Sequence, residues 1–194
     1  MKICHICAVD FTLNHFLLPL IDRMKNEGCD VYAICSRGSN SKDLTDKGYN
    51  LINVDIPRNL NPILIIKTII SLYKEFKKNK FDIIHVHTPV ASVVGRIAAK
   101  LARVPLVIYT AHGFYFHENM SIFKFYIYLY IEKFFAYFTD LIFFQSIEDY
   151  NISKKYNFLH FDKLFHIGNG VDSTIFIPKS IIDNAKTKKK LGIP

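Results

Sequence analysis

Seven short runs of β-branched and aromatic residues recur along the chain, with segments of helical length between most of them. The runs are KICHICAV, DVYAICS, NLINVDI, DIIHVHT, LVIYTAH, DLIFFQS and KLFHIGN. Their apolar character is nearly continuous rather than alternating, as expected of strands covered on both faces. Asn14–Glu27 stops at Gly28, a residue suited to a helix end. Pro62–Asn79 carries apolar residues at 63, 66, 69, 70, 73 and 76 and finishes in lysines, which complement the helix dipole. Pro89–Arg103, Ser121–Phe138 and Ser146–Phe158 supply further helical segments. This alternation predicts an α/β fold: a doubly wound, mostly parallel sheet of about seven strands with helices on both faces.

The chain has 194 residues, half of them hydrophobic, enough for one compact domain with a sizeable core. A charged fraction of 22 % argues against disorder. The formal charge of +8 favours an anionic partner: a nucleotide, a phosphorylated lipid, a membrane surface or nucleic acid. Cys4, Cys7, Cys29 and Cys35 lie in or beside apolar runs, and Met1 leads straight into a strand pattern with no signal peptide. Reduced thiols in a cytoplasmic protein are therefore expected. Cys4 and Cys7 point to opposite faces of a strand, and no second pair follows at zinc spacing. No window reaches the roughly 18 uninterrupted apolar residues of a membrane-spanning helix. The nearest approach, IFKFYIYLYIEKFFAYF at 122–138, is broken by Lys124, Glu132 and Lys133.

Ligands of open parallel sheets bind beyond the carboxyl ends of the strands, near the switch in strand order. The residues expected there are Asp10, Phe11, Thr12, Asn14 and His15 after the first strand, and His87, Thr88 and Pro89 after the fourth. Thr110, His112 and Gly113 follow the fifth, Gln145 and Ser146 the sixth, and Asn169 and Gly170 the last. A nicotinamide dinucleotide is excluded, because the first turn, AVDFTLNHF, holds no glycine and the second strand ends without a ribose-binding acid. No Walker loop is present. His85 and His87 share one face of a strand and pose a metal test, but no third ligand stands near them in sequence. The expectation is no metal, with His85 a hydrogen-bonded core residue and His87 facing ligand. The aromatic helix carries more rings than one buried stripe requires. Its surplus suits either a membrane interface or a partner domain.

Three stretches carry a resemblance: DIIHVHTPVASVVGRIAAKLARVPLVIYTAHGFYF, TDLIFFQSIED and HIGNGVDSTIF. They resemble the amino-terminal half of GT-B glycosyltransferases, in particular the family 4 retaining enzymes of capsular, exopolysaccharide and lipopolysaccharide synthesis. The opening DFTLNHFLLPLIDRMKNEGCDVYAIC is similar to that family's acceptor-side first strand and helix. The resemblance implies a Rossmann-like acceptor-side domain over residues 1–172 and an interdomain connector over 173–194. The donor domain, with its Glu-x7-Glu motif, is then missing from this chain. It further implies a nucleotide-sugar donor, a lipid-linked or saccharide acceptor, no metal or other cofactor, no nucleic acid, and a site on the inner face of the cell membrane.

By the same resemblance, His112 lies near the transferred sugar and the donor phosphates, where it would act by electrostatics and positioning rather than as a base. Asp10, Thr12, Asn14, His15, His87, Thr88, Gly113, Phe114 and Tyr115 would line the acceptor side, and Asn169 would touch the donor. Phe116 would help shape the acceptor side, while His117 and Glu118 receive no role. The helix starting near Asn14 would offer free amides to phosphate. Two alternatives stand beside this one: a non-catalytic module docking a separate donor-domain subunit, and half of a GT-B-like nucleotide-sugar epimerase.

Overall fold

The computed structural model describes residues 1–59, 61–117, 119–170 and 181–193, with the backbone alone for 181–185. Glu118, the start of the connector at 173–180, and Val171, Asp172 and Phe176 of the NGVD motif lie outside the described residues.

Each apolar run forms a strand. These are β1 (Lys2–Val9), β2 (Asp30–Ser36), β3 (Asn50–Asn53), β4 (Ile83–Val86), β5 (Leu106–Ala111), β6 (Leu141–Phe144) and β7 (Leu164–His166). All pairings are parallel, and the order is β3-β2-β1-β4-β5-β6-β7, which places the switch in strand order between β1 and β4. The later strands are shorter than their sequence runs because the polar ends, such as His87-Thr88 and Gln145-Ser146, leave the ladder and turn towards the carboxyl edge.

The helices are α1 (Asp10–Thr12), α2 (Leu18–Asn26), α3 (Ser41–Asp46), α4 (Pro62–Asn79), α5 (Pro89–Ala102), α6 (Ile122–Ala136), α7 (Ile147–Lys155) and α8 (Ile181–Lys190). A π-helical turn, Leu13–Leu17, joins α1 to α2. The helix after β1 thus begins at Asp10 rather than near Asn14. Helical bonding consumes the amides that the sequence reading offered to phosphate, starting with Leu13 N–H on Asp10 O. The short helix α3 was not anticipated. Asn61 caps α4 by accepting the N–H groups of Ile63 and Leu64, and Lys80 closes it in a left-handed conformation.

Alternation along the strands divides the core in two. On one face Cys4, Ile6, Ile84, Val86 and Val107 pack under α4, α5 and α6, with Leu72, Phe76, Val94, Ala98 and Leu129. On the other Cys7, Val31, Ala33 and Cys35 pack under the first helical segment and α3, with Leu13, Leu17, Ile21 and Leu44. Cys4 and Cys7 therefore serve separate cores, and all four cysteines are free. Helix α5 lies close on β4 through Gly95, where an added Cβ would stand 2.7 Å from a Val86 methyl.

Helix α6 keeps only Leu129 and Ala136 fully buried. Ile122, Phe123, Tyr126, Tyr130 and Phe134 are exposed, Phe123 at 77 % and Phe134 at 62 %. Glu132, which interrupts the aromatic run, turns inward. It lies 3.5 Å from the guanidinium of Arg96, which is wholly buried over the Tyr109 ring. Burial raises the Glu132 carboxyl above its ordinary range against the opposing pull of Arg96. No described helix is long and apolar enough to cross a membrane.

Candidate functional site

The parallel register of β1, β4 and β5 brings four histidines together at the carboxyl edge. His5 pairs with His85 across β1 and β4, and His85 with Ile108 across β4 and β5. Residues two positions on, His87 and Thr110, fall on the same face, and His112 follows at the edge. His5 Nδ1 lies 3.2 Å from His87 Nε2, and His87 Nδ1 lies 3.1 Å from His112 Nε2. His112 Nδ1 lies 2.8 Å from the side-chain Oε1 of Gln145, and His5 Nε2 lies 3.4 Å from the sulfur of Met24. His85 Nε2 is 2.7 Å from the Thr110 hydroxyl, the core hydrogen bond expected of it.

Burial sets the charge of the inner rings. It lowers the imidazole of His5 to about 4, and it holds those of His85 and His87 well below the ordinary histidine range. These three rings are neutral near pH 7, and their donor nitrogens lie within 4.8 Å of one another, a set able to hold a metal ion. His112 is exposed, so the chain of rings opens to solvent through it.

Backbone geometry keeps the edge open beside His112. Gly113 has φ +143, which favours glycine, and a Cβ there would meet nothing within 4 Å. Thr88 adopts φ 60, a rare conformation for a β-branched residue, and its hydroxyl accepts the Ala8 N–H at 3.1 Å. That bond ties the ends of β1 and β4 together at the switch point. Strain of this kind is retained where surrounding structure enforces it, often at functional sites. The loop after β5 is pinned by the Phe114 N–H, which donates to Asp149 at 2.8 Å. Desolvation raises the Asp149 carboxyl above its ordinary range.

The other expected residues fall into two groups. Asp10 is buried, and its carboxylate accepts the Asn40 N–H at 2.8 Å and the Ser41 hydroxyl at 2.9 Å. It ties the first turn to the loop before α3, hard against Gly38. Phe114 and Phe116 stack on each other, with Phe114 also on Phe144 and Phe158; Phe116 is buried in the core and Phe114 packs half-buried against it. Tyr115 is exposed and stacks on Tyr128 of α6 at 4.6 Å. Thr12 and Asn14 are half-buried in the first helical segment, while His15 is exposed and stacks on Phe11. Asn169 is exposed just beyond β7. Sequence reasoning did not include His5, Met24, Gln145 or Asp149 among the site residues, although it did place Gln145 at this edge.

A family model described as glycosyl transferase 4-like matches residues 2–146. The chain is 32 % identical over 194 residues to the UDP-Gal:alpha-D-GlcNAc-diphosphoundecaprenol alpha-1,3-galactosyltransferase of Escherichia coli, covering 98 % of this chain and 50 % of that protein. It is 26 % identical over 191 residues to the capsular polysaccharide biosynthesis glycosyltransferase CapM of Staphylococcus aureus, covering 97 % and 49 %. The chain therefore spans about half the length of the curated relatives it matches. Among solved structures, a glycosyltransferase from Rickettsia africae superposes with a TM-score of 0.68 at 20 % identity, over all of this chain and 50 % of that one. The UDP-N-acetylglucosamine 2-epimerase of Rickettsia bellii superposes equally, with a TM-score of 0.68 at 16 % identity, over 100 % and 52 %. These likenesses show the Rossmann-like fold that both enzyme classes share.

Proposed function

The chain belongs to the glycosyl transferase 4-like family, and from that premise we propose that it is the acceptor-binding half of a retaining, nucleotide-sugar-dependent glycosyltransferase of surface polysaccharide synthesis. The observation that carries this reading is His112. It stands exposed at the carboxyl edge beside the strand-order switch, held on one nitrogen by buried His87 and on the other by Gln145. The Gln145 bond faces solvent and is the exchangeable one. A donor phosphate oxygen or a sugar hydroxyl takes the place of the Gln145 side-chain oxygen as acceptor, while His87 keeps the ring aligned.

In this reading the bond between the sugar's anomeric carbon and the phosphate oxygen breaks as the acceptor oxygen bonds to the same face of that carbon. The acceptor's proton passes to the leaving phosphate, so no protein base is required, and no metal ion takes part in the chemistry. Gly113 leaves room for the sugar, and Thr12, Asn14, His15, Thr88 and Tyr115 border the acceptor side. Asn169, exposed just beyond β7, is assigned to the donor side.

The E. coli relative's name gives its acceptor as a diphosphoundecaprenol-linked sugar. A prenyl-diphosphate sugar is the acceptor class we assign to this chain. Helix α6 supports the assignment, because it presents exposed rings beside Lys124 and contacts the His112 loop through Tyr128 and Tyr115. Such a face lies in the headgroup region on the cytoplasmic side of the membrane and brings the site to a lipid-borne substrate.

Binding tests this reading against the epimerase alternative. The chain in nanodiscs is expected to bind a prenyl-diphosphate-linked amino sugar and to show far weaker affinity for UDP-sugars. Preference for the free UDP-sugar with no affinity for the lipid-linked sugar would favour the epimerase.

A further inference from the structure

Two imidazole nitrogens face each other in the buried interior, His5 Nδ1 and His87 Nε2, 3.2 Å apart. In the tautomers that place the Nε2–H of His5 on the Met24 thioether and the Nδ1–H of His87 on His112, both nitrogens direct lone pairs into that junction.

A proton or a metal ion can fill that junction. His5, His85 and His87 are exposed by 0 %, 4 % and 1 %, so the junction is closed to bulk solvent. Two imidazole nitrogens bound to one zinc at about 2.0–2.1 Å each stand roughly 3.4 Å apart in tetrahedral geometry, close to the spacing here. A third ring borders the same junction. The His85 ring centroid is 5.0 Å from that of His5 and 4.3 Å from that of His87.

We propose that His5, His85 and His87 form a binding site for one zinc-class divalent cation, with a water molecule as the fourth ligand. The outer contacts then match the usual surroundings of metal-bound histidines, each of which donates its second N–H. His5 Nε2–H donates to Met24, His85 Nε2–H to Thr110, and His87 Nδ1–H to His112. The cation lies one ring behind His112, which opens to solvent, and entry passes that ring. There it fixes the hydrogen bond His87 makes to His112 and takes no part in sugar transfer. The third ligand, distant from His85-x-His87 in sequence, comes from β1 through the pairing of His5 with His85.

The tag-free chain, stripped with a chelator, is titrated with Zn2+ by calorimetry and with Co2+ by visible spectroscopy. One equivalent is expected, with the strong visible bands of four-coordinate Co2+ and with three imidazole nitrogens in the zinc X-ray absorption spectrum. His5→Ala and His87→Ala remove that equivalent, whereas His15→Ala and His160→Ala, at exposed positions, leave it in place. Thr110→Val keeps all three ligands and lowers affinity about 10-fold through the lost outer contact. If the alanine variants do not fold, the absorption spectrum and Thr110→Val decide. No stoichiometric binding by the wild-type chain, a spectrum lacking the three imidazoles, or binding that survives in folded His5→Ala and His87→Ala would overturn the site.

Discussion

His87 Nδ1 lies 3.1 Å from His112 Nε2, so a buried ring steers an exposed one at the carboxyl edge of two adjacent strands. The inner ring is immobilised by the core and the outer ring inherits its orientation. That relationship distinguishes His112 from an ordinary surface histidine and underlies the role proposed for it.

His112→Ala is expected to lower kcat by roughly 100-fold in a protein carrying both halves, the scale of losing one preorganised donor to a developing charge. Folding stability should change by less than about 0.5 kcal/mol, as for most surface substitutions. Steady-state kinetics and a denaturant melt check the two halves of this prediction. An unchanged kcat would remove His112 from the reaction.

Acid should weaken the fold through the inner histidines. Their folded-state basicity is depressed, so below pH about 6.5 the unfolded chain takes up protons that the folded chain refuses. Stability is then greatest above that pH and falls as pH drops towards about 4, where folded His5 itself protonates. Each group contributes a slope of up to about 1.4 kcal/mol per pH unit. Glu132, whose carboxyl is raised, offsets part of this near the acid end. Urea melts between pH 7.5 and 5 with a chelator present measure the slope, and His5→Gln should flatten it.

The buried pair beneath α6 predicts a double-mutant signature. Glu132→Ala removes the carboxylate facing the Arg96 guanidinium, whose Nη1 has no hydrogen-bond partner among the described residues, and should cost about 3–5 kcal/mol. Arg96→Met combined with Glu132→Leu should recover most of that loss, because no buried charge remains. Additive losses in chemical denaturation would contradict this account.

Replacing Phe123 and Phe134 together by serine should weaken binding to anionic lipid vesicles at least about 10-fold, given the apolar area these rings offer. The melting temperature should be unchanged, since neither ring is part of the core. Vesicle co-sedimentation provides the readout, and equal partitioning of variant and wild type would move the membrane contact elsewhere.

The strands were legible because a parallel sheet covered on both faces leaves a continuous apolar trace, and β2 coincides with its sequence run. His87, Thr88, His112 and Gly113 were legible as strand-end residues. His5 was not, because its partners His85 and His87 are 80 or more residues away and only the strand order brings β1 beside β4. Glu132 was legible only as a break in the aromatic run and Arg96 carried no signal of its own, because they meet only across the α5–α6 contact. The stacking of Phe114 on Phe116 and on Phe144 of β6 was not legible for a related reason: it depends on how the loop folds back on the sheet.

Sugar transfer tests the central claim most directly. A protein carrying this chain and its donor half is incubated with a panel of UDP-sugars, with and without a prenyl-diphosphate-linked amino sugar, alongside the 194-residue chain alone. The account predicts a longer glycolipid that appears only with the acceptor and retains the donor's anomeric configuration. It also predicts no product from the chain by itself and no dependence of the rate on added Mg2+. Conversion of the UDP-sugar in the absence of acceptor, with no glycolipid formed, would contradict it.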